Sequence, residues 1–284
     1  MQRFLKNHWA GTIGLLITSG VLFCAVFALW IAPHDPFHQD LERTLLPPVW
    51  EDGGDSNHLL GTDPLGRDIL SRIIYGSRVS LIVSFAGVLV AVVTGLLLGT
   101  ISGFYGGRAD SIIMRLVDVK LSFPFILLAI FIVAVLGPGL VNLILVAGIT
   151  TGVSLSRIIR GEVLSVREQN YIEAIRSVGA SDLRIIFKHI IPNIVNVVIV
   201  AAAIEMGQLI LLESSISFLG LGMPAEVPTW GSMLSDSRNL LMTQPWATVL
   251  PGLAIMLTVL GINLLGDGLR DCLNPRREAK GTME

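Results

Sequence analysis

The chain is short of charge: Asp, Glu, Lys and Arg together make up 15% of its 284 residues, against about a quarter in soluble domains. Aromatic residues are only 7%, and there are two cysteines. No Gly-Lys dipeptide occurs, so the chain has no phosphate-binding loop of the GxxxxGK[ST] form, and any ATP hydrolysis it depends on belongs to another polypeptide. HExxH, CxxC and GxSxG are missing as well, which removes the common metalloprotease, dithiol and serine-hydrolase readings. Cys24 falls inside an apolar run and Cys272 in a charged tail, settings that make a structural disulfide between them implausible. No repeat of transporter halves is visible. The net charge of −2 says nothing about nucleic-acid binding, and no nucleic-acid partner is expected. No catalytic residue is assigned, and the chain is not expected to be an enzyme.

What the chain has instead is apolar length. Hydrophobic residues make up 52%, and a membrane-crossing helix needs about 20 in succession. Runs at 11–32, 81–104, 112–136, 138–153, 194–212 and 247–266 qualify, which predicts an all-α integral membrane protein with six transmembrane helices. The fourth run is short. The third carries Asp118 and Lys120, with Arg115 one turn back as a partner for Asp118. The first run starts on basic residues like a signal peptide, but its apolar stretch exceeds a signal core and no small-x-small site follows, so it reads as an uncleaved span.

Basic residues set the orientation, because Lys and Arg near span ends stay in the cytoplasm. With the N-terminus inside, Arg3, Lys6, Arg108, Arg115, Lys120, Arg157, Arg160, Arg167, Arg176, Arg184, Lys188, Arg270, Arg276, Arg277 and Lys280 fall inside. Only Arg43, Arg67, Arg72, Arg78 and Arg238 fall outside. Both termini are therefore expected in the cytoplasm.

The external stretch 33–76 is acidic and rich in Pro, Gly and Asp. A turn at Pro64 to Gly66 leads into Asp68, Ile69, Leu70, Ile73 and Ile74, the pattern of a short amphipathic helix at the membrane interface. It serves either as a contact for an external protein or as a solvated connector. His34 and His38 stand four apart, the spacing of a helical metal pair, but Pro33 and Pro36 argue against a helix and favour a solvated loop. His58 further along leaves a metal site open, and no metal is assigned. The second external stretch, 223–244, holds Pro224, Pro228 and Trp230, with Trp246 just after it. Its tryptophans are either interface anchors or part of a re-entrant outer gate.

Gly95, Gly99, Gly103 and Gly107 recur every fourth residue and let helices approach closely, either inside this chain or against a partner subunit. Gly148 and Gly152 repeat the device. Glu205 falls near mid-bilayer, where an unpaired carboxylate costs about 2.5–3.5 kcal/mol, so it lines a pathway or is paired or protonated. Glu213, Ser214, Ser215 and Ser217 suit a narrow helix interface or a polar path.

The segment 171–193, YIEAIRSVGASDLRIIFKHIIPN, is charged and amphipathic, a docking surface in place of a span. Tyr171, Ile172, Ile175 and Val178 recur at helical spacing. Gly179 can end that helix in a left-handed turn, and Ser181 can cap a second helix from Asp182. Leu183, Ile186, Phe187 and Ile190 would form the second apolar stripe, and Pro192 would turn the chain into the next span.

This segment resembles the cytoplasmic coupling loop of binding-protein-dependent ABC importer permeases, Glu-Ala-Ala, three residues, Gly, nine residues, Ile-x-Leu-Pro. Glu173, Ala174, Gly179 and Pro192 match, whereas Ile175, His189 and Ile191 depart from it. HLLGTDPLGRDILSRIIYGSRVSL at 58–81, SFLGLGMPAEVPTWGSML at 217–234 and GINLLGDGLRDCLNPR at 261–276 are similar to the peptide/nickel permease subfamily, specifically its second, shorter subunit.

The resemblance implies a type I ABC importer permease fold with a cytoplasmic helix-turn-helix, in a bacterial inner membrane. It implies a span plus external segment at 1–79 and a five-span permease domain at 80–284, with coupling loop 158–192 and a C-terminal tail. Implied partners are a homologous second permease, two ABC ATPases that carry the ATP and Mg, and an external substrate-binding protein. Tyr171, Glu173, Ala174, Arg176, Gly179, Ser181, Asp182 and Pro192 would couple to an ATPase. No cofactor is expected on this chain itself. The cargo implied is di- or oligopeptide, with nickel, glutathione or opines as alternatives. A proton-coupled secondary transporter and a non-transporting scaffold are the competing classes.

Overall fold

The computed structural model describes residues 9–224 and 226–273. Arg3, Lys6, Arg276, Arg277 and Lys280, all assigned to the cytoplasm above, lie outside the described residues. Helix α1 is Trp9–Val26, followed by the single turn α2, Ala28–Ile31. After the external segment come α3 (Ile69–Tyr105), α4 (Gly107–Leu121), α5 (Phe125–Leu136) and α6 (Leu140–Arg167). A hairpin of α7 (Asn170–Ser177) and α8 (Asp182–Ile185) leads through a π-helical turn, Ile186–Ile190, into α9, Ile191–Phe218. A short helix, α10 (Trp230–Ser237), precedes α11, Pro245–Leu273. Five helical stretches are long and apolar enough to span a membrane, or six if the bent α4–α5 pair counts as one.

The second span begins earlier than apolar composition indicates. Asp68 accepts from the Ser71 backbone NH at 2.8 Å and caps α3, so the amphipathic turns expected at 68–74 are the start of the same 37-residue helix. At about 1.5 Å per residue it is near 55 Å long, well beyond a 30 Å hydrocarbon core. The third run is not a straight span. It breaks at 122–124, where Pro124 cannot continue the helix, and α4 and α5 meet at 91°. Asp118 and Lys120 therefore sit at the end of an amphipathic helix, and Asp118 pairs with Arg157 on α6, not with Arg115.

Helices α3 and α6 form the spine. A Cβ on Gly99 would lie 2.6 Å from the Ser156 carbonyl, and one on Gly103 would lie 2.9 Å from Val163 Cβ. Gly95 faces the Gly152 carbonyl at 3.2 Å, while Gly148 and Gly152 face Val90 and Thr94 at 2.5 and 2.6 Å. The glycine ladder is thus a contact inside this chain, with backbone against backbone. Gly107 does not belong to it, since a Cβ there meets nothing within 4 Å. Gly14 and Gly261 bring α1 against α11 in the same way.

The stretches 33–68 and 219–244 close on each other. Arg67 donates to Asp63 at 2.7 Å and to Asp236 of α10 at 3.0 Å, and Arg72, fully buried, lies 3.4 and 3.6 Å from the same two carboxylates. Thr229 and Ser232 cap α10 reciprocally. Trp230 is buried and donates through Nε1 to the Ile73 carbonyl at 3.0 Å. It is packed into protein, and does not serve as an interface anchor.

An exposed hairpin as candidate functional site

The hairpin at the inner end turns on Gly179, whose φ of +87° is a left-handed conformation that side chains with a Cβ resist. The Gly179 NH donates to the Arg176 carbonyl at 3.0 Å and the Ala180 NH to the Ile175 carbonyl at 3.3 Å, the paired bonds of a Schellman turn. Ser181 stands at the start of α8 but its hydroxyl caps nothing there. The second helix does not turn at Pro192. It runs on into α9 through the π turn, where the Ile191 NH donates to the Ile186 carbonyl. A π turn widens the ladder just where proline, lacking an NH and crowding the preceding turn, would break it.

The apolar stripes read from the sequence divide between two faces. Ile172, Ile185, Ile186 and Ile190 are buried in one cluster with Phe104 of α3 and with Leu155, Ile159, Val163 and Val166 of α6. Val178, Leu183 and Phe187 are 84%, 64% and 68% exposed, and Tyr171 is at the margin of exposure. Leu183 and Phe187 thus leave the buried stripe, and Ile185, absent from the expected pattern, enters it. The π turn lets Ile185 and Ile190, five residues apart, share the buried face, a spacing that a 3.6-residue count does not contain.

Charged groups rim the exposed apolar side chains. Glu173, Arg176, Asp182, Arg184 and Lys188 are exposed. Arg176 lies 3.9 Å from Asp182 across the turn, with its guanidinium 5.4 Å from the Phe104 ring centre. An apolar centre in a charged rim is the composition of a protein interface. Ala174 is exposed on the outer face of α7, and the Asn193 amide beside Pro192 donates to the Tyr171 hydroxyl at 3.2 Å.

Below the hairpin the helices are clipped together by arginines that sequence spacing did not reveal. Arg160 holds Asp110 through two bonds of 2.6 Å, and Ser102 donates to the same carboxylate. Arg167 Nη1 donates to the Gly103 and Phe104 carbonyls at 3.2 and 2.8 Å, closing the end of α3, where cations and unpaired carbonyls attract. The segment expected as loop 158–167 is therefore the last turns of α6. A push on Leu183 or Phe187 meets a body continuous with α3, α6 and α9.

The pathway candidates have different surroundings. Glu213 is buried and accepts from Ser80 and Ser217 at 2.8 Å each, with Ser214 at 3.5 Å. Gly231 of α10 packs on Ser214 and Ser217. This group is a buried polar contact between α3 and α9, as a narrow helix interface requires. Glu205 is half-buried on α9, and its charge acts on Lys120 at the α4–α5 bend. Lys120 also donates to Ser154 at 2.7 Å and lies over the Phe125 ring.

Known proteins are similar to this chain in sequence over nearly its full length. Residues 95–279 match the family described as "Binding-protein-dependent transport system inner membrane component", and residues 1–48 match the "N-terminal TM domain of oligopeptide transport permease C". The chain is 44% identical to the di/tripeptide transport system permease protein DppC of Pseudomonas aeruginosa, over 97% of this chain and 90% of that protein. It is 42% identical to the glutathione transport system permease protein GsiD of Pectobacterium atrosepticum, over 97% and 89%. The dipeptide transport system permease protein DppC of Alkalihalophilus pseudofirmus is also 42% identical, over 97% and 88%. The exposed hairpin at 170–190 falls within the matched region, and on these similarities the chain belongs to the binding-protein-dependent inner membrane components, the permeases of ABC importers.

Proposed function

We propose that this chain is one half of the membrane pathway of an ATP-driven importer of di- and oligopeptides, and that the hairpin 170–190 is its contact with an ATPase. The observation that carries the reading is the pairing of a sealed inner face, Ile172 to Ile190, with the exposed Val178, Leu183 and Phe187. A short amphipathic element with apolar anchors on a rigid base fits a groove in a partner. The partners are a homologous permease, two ATPases that bind ATP and Mg, and an external binding protein that delivers cargo. The chain itself catalyses nothing. It resides in the inner membrane with both termini cytoplasmic, supported by the sidedness of its Lys and Arg residues.

In operation, closure of the ATPases on ATP moves the exposed anchors, and the cluster around Phe104 and Ile159 carries that movement into α3, α6 and α9. Packed cores transmit such shifts because they resist deformation. Glutathione is the second cargo with support, through the GsiD relatives. Proteoliposomes holding the whole complex test both readings. Labelled dipeptide should accumulate only with ATP inside the ATPase compartment and binding protein on the other side, and unlabelled glutathione should compete if it shares the path. Uptake driven by a proton gradient without ATP would overturn the importer reading. A reporter fused at Gly54 should be external, with reporters at Arg184 and Glu284 internal.

A further inference from the structure

On the outer face, His34 and His58 meet around a carboxylate. Asp68, the cap of α3, accepts through Oδ2 from the Ser71 NH at 2.8 Å and the Ser71 hydroxyl at 2.7 Å. Its Oδ1 lies 3.0 Å from His58 Nδ1, and its Oδ2 lies 3.8 Å from His34 Nδ1. The two imidazoles stack with centroids 4.6 Å apart and planes at 30°, so both Nδ1 edges face the carboxylate. One donor atom from each of the three residues lies within 4.8 Å of the others. His34 Nδ1 is shut off from water and has no hydrogen-bond partner. A buried polar atom left that way is costly, and 3.8 Å is too long for a hydrogen bond to relieve it. The histidine that the sequence paired with His34, His38, is exposed and outside this trio.

We propose that His34, His58 and Asp68 bind one divalent transition-metal ion of the zinc class, which fastens the external segment to the start of α3. Zinc bonds of about 2.0–2.2 Å to imidazole and carboxylate, at tetrahedral angles, hold donors roughly 3.3–3.6 Å apart. His58 Nδ1 lies 3.0 Å from Oδ1 and His34 Nδ1 3.8 Å from Oδ2, with one donor from each residue inside 4.8 Å of the others, so the rings must close on a single carboxylate oxygen to reach that geometry. Two imidazoles with one carboxylate select zinc, nickel or copper over magnesium and calcium, which take oxygen shells.

Support behind the ligands is already built. Ser71 orients Asp68, and its hydroxyl also accepts from the His34 backbone NH at 3.0 Å, a second layer of the kind that fixes ligand direction. A cleft of about 350 Å³, lined also by Asp35, His38 and Asp40, gives the hydrated ion a way in and leaves room for water as the fourth ligand. His58 binds through the tautomer that carries its proton on Nε2, which frees the Nδ1 lone pair for the metal.

The test uses the full-length chain, purified through a tag without histidine, stripped with chelator and titrated with Zn²⁺ under equilibrium dialysis. One Zn²⁺ per chain is expected, retained in roughly 100-fold excess Mg²⁺, together with a rise in Tm on binding. His34→Ala and His58→Gln should each weaken binding by about 100-fold or more, whereas His189→Ala, in the cytoplasmic hairpin, should bind as the parent does. If His58→Gln fails to fold, His34→Ala decides alone, because its ring is partly exposed. Absence of stoichiometric Zn²⁺, parental affinity in folded His34→Ala, or displacement by Mg²⁺ would overturn the proposal.

Discussion

At the end that carries α10, charged groups from distant parts of the chain find one another: Arg67 and Arg72 meet Asp63 and Asp236, and Trp230 is buried with its NH satisfied. At the hairpin end, isoleucines seal one side, while Val178, Leu183 and Phe187 are exposed near the Arg176–Asp182 pair. Both ends bury apolar surface and both leave large apolar side chains exposed, Leu41, Trp50 and Met242 at the first and Val178, Leu183 and Phe187 at the hairpin. The first end is tied by ion pairs that reach across the sequence, and the hairpin rests on one apolar cluster and a single glycine turn. Stability should therefore respond to changes outside and in the spine, and coupling to changes at the hairpin.

The largest loss should come from the spine that joins the ends. Gly99→Leu puts a side chain where a Cβ already lies 2.6 Å from the Ser156 carbonyl and 2.8 Å from Ile159 Cβ. Backbone cannot retreat cheaply, and overpacking of about 3 kcal/mol or more is expected. Size-exclusion chromatography of detergent extracts should show little monodisperse protein. Gly161→Ala, where a Cβ meets nothing within 4 Å on a helix, should be neutral or stabilise by about 0.5–1 kcal/mol.

Gly179→Val should separate fold from coupling. Its Cβ has open space, so the penalty is the left-handed backbone, about 1–2 kcal/mol and more for a β-branched residue. The chain should insert and purify normally, yet transport and binding-protein-stimulated ATP hydrolysis in the reconstituted complex should collapse. Normal values of both would separate the turn from coupling.

Asp236→Asn should do the reverse at the outer end. It leaves Arg67 and buried Arg72 sharing Asp63, and because Asp236 is itself partly exposed the cost should be about 1–2 kcal/mol. Thermal unfolding should register a lower Tm while stimulated hydrolysis persists. Smallest of all, Glu205→Gln keeps the size of the group facing Lys120 and should preserve assembly, with a change in transport rate of less than about tenfold. Identical rates would remove Glu205 from the pathway.

The sequence carried the fold and the hairpin because both signals are local. Apolar runs give spans, and Glu173, Gly179 and Pro192 sit within one short segment. Three features were hidden for physical reasons. The break at Pro124 lies inside a run that is apolar on both sides, so composition does not mark it. The π turn before Pro192 puts Ile185 on the same buried face as Ile190, a five-residue spacing that helical periodicity does not announce. Partners far apart in sequence, such as Asp118 with Arg157, Arg160 with Asp110 and Arg67 with Asp236, have no spacing rule and need the packed bundle to appear. Single substitutions in the glycine ladder were legible as packing, although Gly107 shared the spacing without sharing the contact.

The most direct measurement is the affinity of the ATPase for the permease pair in nanodiscs, with Phe187→Asp and Leu183→Asp compared with the parent. Both side chains are exposed, so each change should move stability by no more than about 0.5 kcal/mol. As buried anchors of the interface each should cost about 2 kcal/mol or more in binding, roughly 30-fold in Kd, with stimulated hydrolysis lost in parallel. Parental affinity and parental hydrolysis in both variants would contradict the assignment of the hairpin as the docking surface.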